Sequence, residues 1–563
     1  MENIISDATK RNWDRLSVNA DGKLKSFANK QKSIKRIIPV EYIADDIIFD
    51  FIKEVSEVYG DLNIPDIIYH VATNLLQDAN IYERNTVQEI LRDFENQFSV
   101  KNLQIESKIP KFTKDSDILG GLYQSLLSEG DKNKKGSYYT PKEIVDDMLS
   151  EFELDEDSNF LDPCCGSGAF LTRVKTADPT KLYGIENDPI GAFISKINIL
   201  LTYRDIEFVP NIICKDFLIA NNLFENETKF DFIATNPPWG NKSKSVTNLI
   251  NSKESFVQFF VKAYNLLKNE GQINFLFPES ILNVKSHTII RDFIISNHDL
   301  NEIHQYSSSF TGVMTNFISM NFKKGVTVTQ IRVRSKMEEF YVSYSSFEHT
   351  KNKVFALLKP QEEAVIKQVL DRSVYSLSNS QWALGIVTGN NKELLKSSEG
   401  PLLEKIYTGK EIEKFRLREA KKYVLYDRDS FQQVAKDEIY RADEKLVYKF
   451  VSNKLMFAYD DSASLFLNSA NILIPNILGM STKTVLAFLN SSLYQFIYEK
   501  LFGELKVLRG NLSELPFPQI DEETDKLLTS LVDEIIYDGK DKQEEIDNIV
   551  YGVFDLDSKR MPV

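Results

Sequence analysis

From about residue 113 to about 325, short apolar runs alternate with longer amphipathic stretches. The runs Asn159-Phe160-Leu161, Leu182-Tyr183-Gly184-Ile185, Asn211-Ile212-Ile213-Cys214, Phe230-Asp231-Phe232-Ile233-Ala234 and Gln272-Ile273-Asn274-Phe275-Leu276-Phe277 have the length of strands. Residues 256–268 read as the helix before the last of them. This alternation predicts an α/β fold with a doubly wound, Rossmann-like parallel sheet. Residues 316–322, the turn Lys323-Lys324-Gly325 and then Val326-Thr327-Val328 predict a closing hairpin at its edge.

The flanking regions have other textures. Residues 1–112 show helical spacing, as at Ile47, Phe49, Phe51 and Ile52 and at Thr86, Val87, Ile90, Leu91 and Phe94, and predict an N-terminal helical domain. The α/β domain is expected over 113–345. Beyond it, short segments with aromatic and basic residues interleaved predict a mixed α/β domain over 346–521. A C-terminal segment, 522–563, carries one last helix from about 522 to 554.

A chain of 563 residues is long enough for two or three such domains. The first residues have neither a basic start nor an apolar core, and no apolar stretch is long enough to span a bilayer, so a cytoplasmic protein with no membrane partner is expected. Three cysteines give neither a disulfide framework nor a paired metal spacing. The net charge of −14 speaks against a basic surface overall, yet one cleft can still be lined by cations. Lys323, Lys324, Arg332, Arg334 and Lys336, then Lys414, Arg416, Arg418, Lys421 and Lys422, are the candidates; each alone reads as a solvated face.

The chemistry is concentrated at two strand ends. Thr235-Asn236-Pro237-Pro238-Trp239-Gly240 follows the run 230–234, and paired prolines end a strand and stiffen the next turn. An amide (Asn236), a carbonyl (Pro237) and an indole (Trp239) then stand where open α/β sheets bind ligands. Such a trio accepts hydrogen bonds from a planar amino group and stacks on its ring. Upstream, Asp162-Pro163-Cys164-Cys165-Gly166-Ser167-Gly168-Ala169-Phe170-Leu171 leads from a strand through a glycine turn into an expected helix. Glycines there let the backbone approach a ligand closely. Leu171 occupies the place of the third glycine of the dinucleotide fingerprint. Glu186, at the end of the next strand, sits where a ribose hydroxyl is commonly held, and Asp216-Phe217 after the following strand offers a carboxylate and a ring to an adenine.

Asp-Pro-Cys-Cys-Gly-Ser-Gly-Ala-Phe, Gly-Ile-Glu-Asn-Asp-Pro, Asp-Phe-Leu and Asn-Pro-Pro-Trp, in that order, resemble the N6-adenine DNA methyltransferases that use S-adenosyl-L-methionine (AdoMet). Gly136-Ser137-Tyr138-Tyr139-Thr140-Pro141 is similar to that family's additional cofactor motif, and Asp117-Ile118-Leu119-Gly120-Gly121-Leu122-Tyr123 to the lead-in helix of its modification subunits and fused enzymes. More loosely, the segments around residues 407–412, 445–450, 489–496 and 512–518 resemble the Taq-type target-recognition domain. The resemblance implies a site-specific modification enzyme of a restriction–modification system, acting on an adenine flipped out of double-stranded DNA, with no metal. A cognate restriction endonuclease or a separate specificity subunit is a candidate partner. Asn236, Pro237, Pro238 and Trp239 carry catalysis in that reading. Thr140, Asp162, Cys164, Gly166 and Gly168 meet the methionine part of the cofactor, Glu186 the ribose, and Asp216 and Phe217 the adenine. Phe310 aligns with the position packing the other face of the flipped base, although a core phenylalanine turned inward fits its pattern equally. The adjacent cysteines read as small packing residues.

Three rivals follow from the same residues. Protein or ribosomal-RNA methyltransferases also use Asn-Pro-Pro motifs but are usually shorter after the catalytic domain. A fused nuclease would need an acid and Glu-x-Lys on adjacent strands; Asp66 with Glu106 and Lys108 matches only when forced, since the flanks look helical. A modification subunit dependent on a specificity subunit would not need the long C-terminal region.

Overall fold

The computed structural model describes residues 45–557 apart from 61, 104, 129–139, 156, 221–222, 225–227, 240–249, 307–315, 350–351, 453 and 503–505. The chain forms two compact units, one ending at Tyr344 and the other beginning at Ser345.

The first unit is built on a nine-stranded sheet. Its strands are β1 (Phe160–Asp162), β2 (Leu182–Glu186), β3 (Asn211–Cys214), β4 (Phe230–Thr235), β5 (Leu267–Pro278), β6 (Leu300–Gln305), β7 (Phe317–Lys323), β8 (Gln330–Ser335) and β9 (Glu339–Ser343). They lie in the order β3-β2-β1-β4-β5-β7-β6-β8-β9. From β3 to β5 all neighbours are parallel. β7 runs antiparallel to both β5 and β6. From β1 the chain goes outward through β2 to β3, then returns to place β4 on the other side. The carboxyl ends of β1 and β4 therefore flank a topological switch point, where a ligand crevice opens in such sheets.

The helices of this unit are α1 (Asp46–Val58), α2 (Ile64–Asp78), α3 (Asn85–Phe98), α4 (Ile118–Leu126), α5 (Lys142–Ser150), α6 (Pro189–Thr202), α7 (Ser255–Leu266) and α8 (Thr288–Asn297). α6 is apolar nearly all round because it is sandwiched, with β2 and β3 on one side and α2 and α4 on the other. The Phe94 ring of α3 stacks on Phe193 of α6 at 3.9 Å. The N-terminal helices thus share one core with the sheet.

The second unit is mixed α/β. It starts with α9 (Pro360–Asp371), and β10 (Ser373–Ser376) pairs with β19 (Pro516–Pro518). One four-stranded sheet runs β11 (Gln381–Leu384), β18 (Ala470–Ile474), β15 (Lys445–Lys449), β16 (Phe457–Asp460). The other runs β12 (Leu395–Lys396), β14 (Lys422–Leu425), β13 (Leu403–Tyr407), β17 (Leu465–Phe466). A buried Lys445–Asp460 ion pair at 2.6 Å ties β15 to β16. The helices α10 (Thr482–Asn490), α11 (Ser492–Leu501), α12 (Glu522–Tyr537) and α13 (Gln543–Val553) pack together. No helix among the described residues is long and apolar enough to cross a membrane.

Four local expectations are corrected. The closing hairpin does not form: every residue of β7 up to Phe322 is buried, so the strand needs neighbours on both sides and takes β5 and β6, while β8 pairs with β6. The last helix is two, broken where Gly539 takes φ +71°. After the glycine turn comes a run of turns rather than a helix, with Thr172 N donating to Gly168 O at 2.9 Å and Arg173 N to Phe170 O at 3.0 Å. Finally, much of the expected basic surface is neutralised. Arg334 pairs with Asp147 (2.7 Å) and Glu302 (3.0 Å), and Arg332 with Glu151 (2.9 Å) and Glu302. Lys324 Nζ donates to the carbonyls of Tyr264 and Leu267, Lys414 Nζ to that of Asn490, and Arg418 pairs with Glu413.

Candidate active site

Asp162 ends β1 and Thr235 ends the neighbouring β4, and their side chains meet: the Thr235 hydroxyl donates to Asp162 Oδ1 at 2.6 Å. The same oxygen accepts Cys164 N at 3.1 Å. The Cys164 thiol lies 2.9 Å from Thr235 Oγ1 and 3.4 Å from Asn236 O. Because Thr235 gives its proton to Asp162, the thiol is the donor in this set; burial, with Asp162 nearby, pushes its pKa well above the usual value and keeps it protonated. The glycine turn and the Asn-Pro-Pro-Trp turn are thereby held together, across the switch point, by side chains at two strand ends.

The glycine turn is held on its other side by β2. Gly166 N donates to Glu186 Oε2 at 2.9 Å, Cys165 N to Ile185 O at 2.9 Å, and Asp188 N to Glu186 Oε1 at 2.7 Å. Gly166 and Gly168 take φ +53° and +91°, conformations only glycine adopts readily. A Cβ on Gly168 would stand 2.9 Å from Ser195 Oγ. Asn198 Nδ2 of α6 donates both to Ser167 O (2.9 Å) and to Asp117 Oδ1 (2.8 Å), and Asp117 also caps α4 through Gly120 N (2.8 Å). Thr140, Ser167, Asp117 and Asn198 line one depression of about 580 Å³, counted with its open mouth.

Asp162 is 1% exposed, and among the described residues no cation pairs with it or with Glu186. Burial pushes the Asp162 carboxyl up to about 7 and raises Glu186 as well. One buried acid and one half-buried acid, neither facing a described cation beside the glycine cradle, fit a ligand carrying an ammonium group and a diol, as AdoMet does.

Asp216 is exposed and closes a turn, accepting Leu218 N at 2.8 Å. Phe217 is buried against Phe259 (5.4 Å between ring centres), with Lys262 Nζ 5.0 Å over its ring. Lys262 also donates to the carbonyls of Phe217 and Ala220, which clamps this turn. Phe217 is therefore packed against α7, with little of its ring exposed.

On the β4 side, Pro237 is buried and Asn236, Pro238 and Trp239 are half-buried. The Pro238 carbonyl accepts Ser255 Oγ at 2.6 Å, and Trp239 Nε1 donates to Leu276 O over a long 3.4 Å. The indole lies against Phe317, the first residue of β7, at 6.1 Å and 36°. Phe310 lies outside the described residues.

The comparisons with known proteins agree with this geometry. The N-6 DNA Methylase family matches residues 114–353, and the TaqI-like C-terminal specificity domain matches residues 404–517. The chain is 31% identical over 313 residues to the Type II methyltransferase M.VspI of Vibrio sp. (strain 343), which covers 52% of this chain and 74% of that one. The chain belongs to the N-6 DNA methylase family. To the Type I restriction enzyme MjaVII methylase subunit of Methanocaldococcus jannaschii this methylase is 34% identical over 133 residues, 22% of each chain. Its fold matches that of the Type IIL restriction-modification enzyme MmeI, solved in complex with DNA, with a TM-score of 0.59 over 91% of this chain and 96% of that one at 13% identity. It is a DNA methyltransferase of the restriction–modification type, in an AdoMet-dependent family, with a specificity domain of its own.

Sequence reading of this methylase missed Thr235, Asn198 and Lys262. Thr235 stands beside the Asn-Pro-Pro-Trp turn, so its position was a usable signal. Asn198 and Lys262 lie inside largely apolar helices whose pattern carries none. Asp66 and Glu106 are not brought onto adjacent strands: Asp66 lies in α2 and accepts Lys101 N at 3.0 Å.

Proposed function

We propose that this methylase transfers a methyl group from AdoMet to N6 of an adenine flipped out of double-stranded DNA. The observation that carries the reading is the joining of Asn236-Pro237-Pro238-Trp239 to the glycine turn through Asp162, Thr235 and Cys164. AdoMet, when bound, supplies an electrophilic methyl on a sulfonium. The nitrogen of an exocyclic amine is a poor nucleophile because its lone pair is delocalised into the ring. Asn236 Oδ1 and the Pro237 carbonyl accept its two hydrogens, which draws the nitrogen towards tetrahedral geometry and localises the pair. No other described residue donates to either acceptor. Trp239 stacks on the base, and the strand ends hold donor and acceptor in line, so orientation provides most of the acceleration. Flipping costs a few kcal/mol of stacking and pairing.

Thr140, Asp162, Cys164, Gly166 and Gly168 hold the methionine end in this reading, with Asp162 on the ammonium; Glu186 holds the ribose, and Asp216 with Phe217 beside it the adenine. Residues 346–521 read the DNA, which makes recognition self-contained, as the specificity domain match favours. The test is incubation with isotope-labelled AdoMet and unmethylated bacterial DNA, followed by nucleoside mass spectrometry. Labelled N6-methyladenine, absent with Asn236→Ala, is expected. Labelled N4-methylcytosine would overturn the base assignment, and no labelled nucleoside would overturn self-sufficiency.

A further inference from the structure

Behind Trp239 stands a second ring stack that the methyl-transfer chemistry does not use directly. Phe317 packs against the indole, and Tyr306, the residue after β6, stacks on Phe317 at 5.3 Å and 27°. The Tyr306 hydroxyl donates to Asp147 Oδ2 at 2.7 Å and lies 3.2 Å from Ser319 Oγ. Asp147 belongs to α5, the helix that begins two residues after Thr140. Its carboxylate also holds His304 Nδ1 (2.7 Å) and Arg334 Nη1 (2.7 Å). Although burial opposes it, these partners keep the Asp147 carboxyl well below the usual range, so it is a fixed anion. Arg334 is fixed in turn by Glu302, itself almost wholly buried.

The tyrosine hydroxyl is thus clamped at one end of a row of rings whose other end is the indole. The indole's hydrogen bond to Leu276 O is long, at 3.4 Å, so its contact with the Phe317 ring helps to set its tilt. We infer that Tyr306, oriented by Asp147, is a positioning residue for the target base, acting through Phe317 on Trp239. The inference rests on the reading of Trp239 as the wall of the base pocket. It also gives the cation cluster of β8 a role: Arg334 orients the carboxylate that orients the tyrosine, and does not meet DNA.

The test is a double-mutant cycle on single-turnover methylation of unmethylated bacterial DNA, with AdoMet affinity measured by calorimetry on the same proteins. Tyr306→Leu is expected to slow transfer about 10-fold with AdoMet affinity within about twofold, because a slight misplacement of the base costs rate and not cofactor binding. Tyr306→Phe, which keeps the ring, is expected to recover to within about threefold of the native rate. In a Trp239→Ala background Tyr306→Leu should cost little further, since a residue acting through the indole has nothing left to position. Losses that multiply fully, or an equal loss of AdoMet affinity, overturn the inference and make Tyr306 a structural residue. If Trp239→Ala itself leaves the rate intact, the base-pocket reading has failed instead.

Discussion

On the side that we propose faces the cofactor, Asp162, Thr235, Cys164, Gly166 and Glu186 are joined by directed hydrogen bonds between strand ends. On the side that we propose faces the target base, Trp239, Phe317 and Tyr306 meet ring to ring. The difference suits the ligands proposed. A cofactor with an ammonium, a diol and an amine is recognised by fixed donors and acceptors, each worth about 1 kcal/mol net. A base drawn out of a duplex offers two flat faces, and ring pairs worth about 0.5–1.5 kcal/mol tolerate the small shifts of a ligand that arrives by rotation. Changes on one side should therefore appear in AdoMet affinity and changes on the other in transfer rate.

The largest separation is expected at Asn236. Asn236→Ala should lower single-turnover methylation by about 10²–10³-fold, the scale for losing one oriented polar contact to the reacting group, with AdoMet affinity nearly unchanged. Equal loss of both, read by calorimetry beside the rate, would mean that the two sides are not separable. Gly168→Ala tests the opposite side. A Cβ there would approach Ser195 Oγ to 2.9 Å in a left-handed backbone, so roughly 1–3 kcal/mol should be lost from AdoMet binding or folding while saturating AdoMet restores most of the rate. An unaltered melting temperature and AdoMet affinity would show that the turn moves freely.

Asp162 gives a pH signature to the same side. Its carboxyl is raised in the folded protein, from 3.8 to about 7, so the folded state holds its proton more tightly than the unfolded chain. Its contribution to stability is complete below the ordinary carboxylate pKa and is lost as pH rises through about 7. AdoMet binding runs the other way: if its ammonium takes the ionised carboxylate, affinity should rise as pH passes through about 7, and Asp162→Asn should flatten the profile. A flat native profile would remove Asp162 from contact with the ammonium. The smallest effect belongs to the rings. Phe317→Leu keeps an apolar side chain and should cost about 1 kcal/mol of stability with a rate reduced a few-fold. A change in AdoMet affinity larger than the change in rate would break the comparison.

Much of the site was legible because its signals are local. Paired prolines after an apolar run mark a strand end wherever they occur, and glycines at 166 and 168 announce a backbone that needs positive φ. The order of these motifs along the chain places both at neighbouring strand ends in a doubly wound sheet. What could not be read depends on partners remote in sequence. Arg332 and Arg334 looked like a DNA-facing surface, yet Arg334 meets Asp147, 187 residues upstream. The turn after Lys323 looked like a hairpin because its sequence says nothing of which strand lies beside β7. The helix expected after Gly168 is a run of turns in which bonds of four-residue and three-residue spacing mix, Thr172 N to Gly168 O and Arg173 N to Phe170 O.

By itself, then, the sequence determined the class of chemistry, the strand ends that bear it and the positions where the backbone must be glycine, since each depends on a few consecutive residues. The tertiary structure decided which charges stay free, which strand neighbours which, and what holds Trp239. Those outcomes are set by packing. The Asp162–Thr235 bond spans 73 residues and the Tyr306–Asp147 bond 159, and contacts at such separations form only when the whole sheet and its helices close around them.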